Sequence, residues 1–214
     1  MNNQRYIFTT IVTLALLITS TYSTAKEFSY DYAQVGIGTG TYKSFDDEYY
    51  ILASKPINNN ISVKGVLSYF YGDWNDPGEY EEQRVNGYSL EGVYHKNLTS
   101  TTDILASAKV AHTDYKLVCT PTTGVCGTYS DATPSFNHYI ATIGARHNIK
   151  DSVEIEGHYS FIRTKWTSSS STARQAKIAL MKEVFSKVSI GAEYTWGLTG
   201  ARIDHYGLFV RKNF

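Results

Sequence analysis

The sequence lacks the long hydrophobic segments of a helical membrane protein and any excess of charge of one sign. After its first 25 residues no long apolar run occurs, and the mean hydropathy is −0.29. This excludes a helical membrane protein but not a membrane β-barrel, because half of each barrel strand can be polar. The 20 basic and 20 acidic residues balance, so no electrostatic attraction to nucleic acid is expected.

Residues 1–25 have the order of regions found in a secretory signal peptide. Arg5 is the only charged residue, an apolar to neutral run follows over 6–18, and Ser23 and Ala25 form a small-x-small cleavage site. The apolar run is shorter than the ~20 residues that a membrane-spanning helix needs. We therefore expect cleavage after Ala25 and a single domain over 26–214, with a retained anchor helix as the alternative.

Tyrosine is abundant, with 18 Tyr beside 9 Phe and 3 Trp. A ring with a polar tip suits the boundary between membrane and water. A tyrosine-rich soluble β-protein is the alternative, since tyrosine also favours strands.

Polar and apolar residues alternate with a period of two through nearly all of the chain after the signal segment, which predicts β-strands. Short turns and longer loops follow each other along the chain, as in outer-membrane barrels. The sequence thus predicts an all-β, up-and-down antiparallel transmembrane β-barrel of ten strands, with eight as the alternative. The predicted strands are 28–41, 48–57, 61–72, 84–96, 101–117, 136–148, 152–166, 173–185, 188–198 and 203–214.

The positions of the aromatic residues indicate which face of the strands contacts lipid. Tyr159, Tyr194 and Trp196 lie toward the loop end of their strands, Tyr94 and Phe214 lie toward the turn end, and small aliphatic residues fill the middle. Two aromatic girdles around an apolar band are typical of a membrane barrel. A soluble lipocalin-like barrel, with its apolar face inward, is the alternative.

The polar face carries charges of both signs, which we predict to form a network inside the lumen. A barrel of ten strands should be mostly filled by side chains, whereas barrels of 16 or more strands hold channels. A narrow pore is the alternative. The predicted network residues are Lys64, Glu91, Lys109, Arg146, Glu154, Glu156, Lys177, Glu193 and Arg211.

The last strand resembles the assembly signal of bacterial outer-membrane barrels, with Tyr206, Leu208, Val210 and Phe214 in the alternating apolar positions. The glycine-rich segment 35–40 resembles the start of the small barrels that include OmpX, Ail and opacity-type proteins, and the chain is similar to an accessory colonisation factor. The resemblance implies a monomer inserted by the outer-membrane barrel assembly machinery and surrounded by membrane lipid and lipopolysaccharide. It also implies a non-enzymatic role in adhesion or host interaction, with a host surface or matrix ligand as partner.

Two patterns invite a comparison with enzymes. His158 and Ser160 resemble the base and nucleophile of lipid A deacylases, but Phe161 stands where that family has asparagine. The omptin proteases use Asp and His pairs at the loop rim, for which His112 with Asp114 and Asp204 with His205 are the candidates. We expect neither activity, and we expect no cofactor and no metal.

The longer loops hold the remaining candidates. Cys119 and Cys126 lie close together in the longest predicted loop, and such a pair usually oxidises outside the cytoplasm. Trp74 and Tyr80 lie in the predicted loop 73–83, where they are candidates for contact with a receptor.

Overall fold

The computed structural model describes residues 28–40, 47–76, 79–121, 135–150, 152–166, 169–200 and 204–214. Within these ranges the chain forms ten antiparallel strands. No helix in the described ranges is long and apolar enough to cross a bilayer. The strands are β1 Tyr32–Gly40, β2 Asp47–Asn58, β3 Ile61–Asp76, β4 Glu79–Thr99, β5 Thr102–Pro121, β6 Ser135–Lys150, β7 Val153–Lys165, β8 Ser170–Phe185, β9 Val188–Thr199 and β10 His205–Asn213.

Each strand pairs with its neighbours in the chain, and β1 pairs with β10 to close a barrel. The closing register runs from Tyr32 opposite Asn213 to Gly40 opposite His205. Closure removes the unpaired strand edges that an open sheet would expose. The prediction of a ten-stranded up-and-down barrel is confirmed, and the eight-stranded alternative is wrong.

The tight connections lie at one rim of the barrel. The start of β1 and the end of β10 lie at the same rim. At residues 59–60 the side chain of Asn58 accepts hydrogen bonds of 2.9 Å from the backbone N–H groups of Asn60 and Ile61. Such asparagine turns need few residues. The backbone N–H of Phe214 donates to the carbonyl of Asp31 (2.9 Å). In outer-membrane barrels the rim with the short turns faces the periplasm.

The apolar face of the strands points outward and the polar face points inward. Ile143 and Leu67 are 64% and 62% exposed, whereas Arg146 is 4% exposed and Ser62 is 0% exposed. Soluble proteins do not cover their exterior with a continuous apolar surface and bury their charges. This arrangement excludes the lipocalin-like alternative, and the exterior is a surface for contact with lipid.

Strand β8 shows the height of the apolar band. Its outward positions run from Arg174 through Ala176, Ile178 and Leu180 to Lys182. At ~3.3 Å per residue and a tilt of ~40°, the two charges stand about 20 Å apart along the membrane normal. Charged residues thus bracket an apolar band close to the ~25 Å that outer-membrane barrels present to lipid.

Three strands continue four or five residues past the predicted boundaries on the side of the long connections. β3 extends to Asp76, β4 begins at Glu79 and β5 extends to Pro121, with Gly72 opposite Gln83 and Asp76 opposite Glu79. The prediction of a loop over 73–83 is therefore wrong for the described residues, which belong to paired strands. The alternation of polar and apolar residues does not mark these strand ends, because a sheet above the membrane has water on both faces and needs no such alternation.

The middle of the lumen holds an apolar cluster that the sequence did not indicate. Tyr50, Ala179, Met181 and Phe209 are buried there, with Leu52 and Val66 packed against them. The rings of Tyr50 and Phe209 lie over glycines of neighbouring strands, since a Cβ added at Gly36 or Gly191 would meet ring carbons at 2.4 Å and 2.3 Å. The inward glycines therefore make room for rings in a narrow barrel.

Replacing Gly191 by alanine should destabilise the barrel by about 1–3 kcal/mol, the usual cost of overpacking. The added methyl would meet both the Phe209 ring and, at 2.9 Å, the backbone oxygen of Leu180. The matched control is Gly65→Ala, because nothing lies within 4 Å of a Cβ at Gly65. Urea unfolding in detergent should show the loss for position 191 only, and equal stability of the two variants would contradict the packing described here.

Candidate functional site

The periplasmic half of the lumen is held by two buried arginines. Arg146 donates to Glu154 from Nε (2.7 Å) and Nη2 (3.0 Å), and its Nε lies 3.7 Å from Glu156. Arg211 donates from Nε to the side-chain oxygen of Gln34 (2.9 Å), and its two terminal nitrogens lie 3.9 Å from Glu154 and Glu156. Such paired charges offset the cost of removing each from water.

A second group of polar side chains lies on β3, β4 and β5. Lys64 forms a salt bridge of 3.1 Å with Glu91, and the Ser107 hydroxyl donates to Glu91 (2.5 Å). Lys109 stands directly across from Glu91 in the sheet. These residues also point into the lumen.

A third group connects the charges across the barrel seam. Lys177 forms a salt bridge of 2.7 Å with Glu193, which accepts a bond from the Tyr50 hydroxyl (3.4 Å). Gln34 in turn donates to the Tyr50 oxygen (2.7 Å). The structure thus places all nine residues of the predicted network on the inward face, and it divides them among three groups.

The segment before β1 enters the periplasmic mouth of the lumen, although the sequence predicts strand from residue 28. The Tyr30 hydroxyl donates to Asp103 (2.7 Å), and its ring stacks on His95 with centroids 3.5 Å apart. The Arg146 guanidinium lies 4.8 Å from the centroids of Phe28 and Tyr30. Burial raises the pKa of the Tyr30 hydroxyl, so it remains a donor. Asp103 has the inward parity and could have been included in the network, but no local signal shows where residues 28–31 fold.

Little free space remains between these groups. A cavity of about 20 Å³ lies among the side chains that include Tyr30, Lys64, Glu91 and Arg146. That volume holds about one water molecule. In the part of the chain that the structure describes, side chains and the segment 28–31 fill the periplasmic half of the lumen.

The candidate catalytic residues have other partners. The His158 ring contacts Glu156 inside the lumen, while the Ser160 hydroxyl hydrogen-bonds to Thr142 (2.8 Å). The lumen is not the lipid surface at which a lipid A deacylase would have to act. Ser160 is therefore neither bonded to His158 nor placed against lipid.

Of the two Asp and His pairs at the loop rim, the first lies on the outward face and the second is divided between the two faces. Asp114 accepts from the Tyr88 hydroxyl and lies 3.1 Å from Nε2 of His112, and these residues face outward on β5. Asp204 accepts from the Tyr194 hydroxyl (2.8 Å) and from the backbone N–H of Gly197 (3.2 Å), whereas His205 contacts Glu48 at 2.5 Å. The pairs do not converge on one protease-like centre.

The remaining predicted residues are the cysteine pair, the two aromatic residues of the predicted loop 73–83 and the assembly signal in the last strand. Cys119 lies in β5 opposite Glu81, but Cys126 lies outside the described residues, so the disulfide stays a prediction. Trp74 is opposite Glu81, and Tyr80 is opposite Asn75. Leu208, Val210 and Phe214 are 46%, 44% and 63% exposed, and Tyr206 shares their outward parity; their role in assembly also stays a prediction.

Comparison with solved structures establishes the fold. The β-domain of the Bordetella autotransporter BrkA matches with a TM-score of 0.52 at 13% identity, covering 88% of this chain and all of that one. An outer-membrane channel from Pseudomonas putida F1 gives 0.51 at 8% identity, with 92% and 100% covered. The NanC porin gives 0.50 at 9% identity, with 85% and 100% covered.

No protein-family model matches the chain, and no curated protein matches it in sequence. The closed antiparallel barrel, its apolar exterior and its charged interior are the features of a bacterial outer-membrane protein. The chain is therefore a β-barrel of the bacterial outer membrane.

Proposed function

We propose that the chain is a non-enzymatic surface protein that binds a host surface or matrix ligand through the raised part of β3, β4 and β5. This strand extension comprises residues 72–76, 79–83 and 117–121. Gly72, Gln83 and Leu117 stand side by side at its base. The strand extension lies above the membrane, because Tyr88 of the aromatic girdle is five residues closer to the membrane than Gln83 along β4.

The length of these strands is the observation that carries the proposal. β4 and β5 contain 21 and 20 residues, whereas a strand needs about 9–11 residues to cross the membrane. Crossing the bilayer does not require the surplus, which extends about 13 Å beyond the base at ~3.3 Å per residue. A paired sheet offers a partner a more ordered surface than separate loops, so less conformational entropy is lost on binding.

The resemblance to the small barrels that include OmpX, Ail and opacity-type proteins, and to an accessory colonisation factor, agrees with this role. A monomer inserted by the barrel assembly machinery is part of the same proposal.

A narrow channel is the second candidate, because two of the similar structures are a porin and a channel. The filled periplasmic half of the lumen favours the surface role, and planar bilayers should show no steady single-channel conductance for the purified protein.

Shortening the strand extension tests the proposal. Deleting residues 73–82 and joining Gly72 to Gln83 through Asn-Gly keeps the register, because these two residues already face each other. Bacteria displaying this variant should lose binding to cultured epithelial cells or to immobilised matrix protein. The control replaces residues 41–46, which connect β1 to β2 in the sequence, by Asn-Gly. Equal binding by the shortened variant and the unaltered protein would contradict the proposal.

Replacing Trp74 or Tyr80 by alanine should weaken that binding about 30-fold, which corresponds to a hot-spot loss of about 2 kcal/mol. Trp and Tyr are enriched among residues that dominate interfaces, and the register places both in the strand extension. Leu98→Ala is the control, because Leu98 is 66% exposed at the opposite rim. The measurement is a titration of purified ligand on displayed protein, and unchanged affinity in both aromatic variants would assign the contact to other residues.

A further inference from the structure

Three cations cluster on the outside of the barrel, directly above the aromatic girdle on β7 and β8. Arg163, Lys165 and Arg174 are exposed and have the outward parity of their strands. Arg163 lies opposite Thr172, and Arg174 lies two residues farther along β8, opposite Phe161. Outward side chains that are diagonal neighbours in a sheet are within reach of each other when they are long. We call these three residues the basic patch.

Acidic side chains do not neutralise the basic patch. Among the described residues, none of its three cations takes part in a salt bridge within 4.0 Å, whereas Lys55, Lys64 and Lys177 all do. The outward carboxylates on the loop side of the girdle are Asp47 on β2, Asp114 on β5 and Asp204 before β10, and Asp204 accepts hydrogen bonds from the Tyr194 hydroxyl and the backbone N–H of Gly197. Lys165 lies 5.5 Å from the centroid of the Tyr139 ring, which leaves its charge available to an anion.

Beside Arg174 and below the basic patch the exterior is a continuous apolar surface. Phe161, Ile178 and Trp196 are 43%, 36% and 38% exposed. The same exposed apolar surface continues over the outward faces of β9, β10, β1 and β2, at Ile190, Leu208, Val35 and Ile51. A ligand held here would place a charged group beside the arginines and hydrocarbon against this surface.

We propose that the basic patch binds the phosphate groups of lipid A in the outer leaflet, with the acyl chains lying along the apolar surface beneath. The height of the patch, at the edge of the apolar band, is where the headgroup of a surrounding lipid lies. Arginine suits this task because its planar guanidinium can bind phosphate oxygens with two parallel hydrogen bonds. This proposal is independent of the strand extension, which lies on other strands.

The test is native mass spectrometry of the purified barrel in detergent, titrated with diphosphoryl lipid A. The same lipid lacking both phosphates is the second ligand, and inorganic phosphate is the competitor. The triple variant Arg163→Gln, Lys165→Gln, Arg174→Gln should bind diphosphoryl lipid A about tenfold or more weakly. The matched control is Lys96→Gln, Lys182→Gln, Lys212→Gln, which removes the same charge from scattered outward positions near the periplasmic rim and should bind as the unaltered protein does.

The unaltered protein alone also tests the proposal, so a triple variant that fails to fold does not decide the outcome. It should bind the diphosphoryl lipid at least tenfold more tightly than the lipid without phosphates, and millimolar inorganic phosphate should not displace it. Equal affinity for the two lipids would overturn the proposal. So would equal losses in the patch and control variants, or displacement by inorganic phosphate, which would indicate a site for a free anion.

Discussion

Replacing Arg146 by methionine should lower the free energy of unfolding by about 3–5 kcal/mol, the usual loss when one partner of a buried ion pair is removed. The Arg146 side chain is 5% exposed and donates two hydrogen bonds to Glu154. Its removal leaves the Glu154 and Glu156 carboxylates in the lumen with less compensation. The guanidinium also holds the segment before β1 through the rings of Phe28 and Tyr30. Urea titration of the protein refolded in detergent measures the loss.

Two further variants show whether the charge is the cause. Arg163→Met, at an exposed arginine without a salt bridge among the described residues, should change stability by no more than about 0.5 kcal/mol. Adding Glu154→Gln to Arg146→Met removes one of the uncompensated charges and should recover part of the loss. If Arg146→Met is as stable as Arg163→Met, the lumen network does not stabilise the barrel.

Replacing Ile143 by arginine should cost about 2–4 kcal/mol, the figure for a cation on the lipid face near mid-membrane. Ile143 is 64% exposed. In a water-soluble protein an exposed isoleucine could become arginine with a change within about 0.5 kcal/mol. The expected loss therefore comes from lipid rather than from packing, and unfolding in phospholipid vesicles measures it.

Leu98 supplies the matched control for that exchange. Its exposed fraction of 66% is close to the 64% of Ile143, but it lies beside the tight turn at residues 100–101 near the periplasmic rim. Arginine costs only about 0–1 kcal/mol near the membrane interface. Equal and small losses at positions 98 and 143 would mean that the middle of the exterior does not contact lipid.

The sequence predicts the number of strands and their inward and outward faces because a half-buried strand requires alternation. Ile143 and Arg146 could be assigned to opposite faces on parity alone, and the structure places them so. The strand ends above the membrane could not be predicted in the same way. Trp74 and Tyr80 lie in a segment in which both strand parities carry polar residues. In water such a sequence is compatible with a paired strand and with a loop, so the sequence alone does not distinguish them.

The sequence predicts which charged residues face the lumen, but it does not predict which of them contact each other. Parity identifies Arg146, Glu154 and Glu156 as inward residues, but their contacts depend on register and depth. The apolar cluster around Tyr50 and Phe209 was not predicted, because inward aromatic residues look like exceptions to the pattern. The sequence predicts strand over 28–31, because no local feature distinguishes a chain that continues a sheet from one that enters the lumen.

Spin labels at positions 142 and 143 test the central claim, that the apolar face of the barrel contacts lipid. The two residues are neighbours on β6 and their side chains point to opposite faces, with the Thr142 hydroxyl bonded to Ser160 inside the lumen. In phospholipid vesicles the label at 143 should collide with dissolved oxygen and be protected from a water-soluble nickel reagent. The label at 142 should lack this combination. A label at 143 that is protected from oxygen, or that is open to the nickel reagent, would contradict the account.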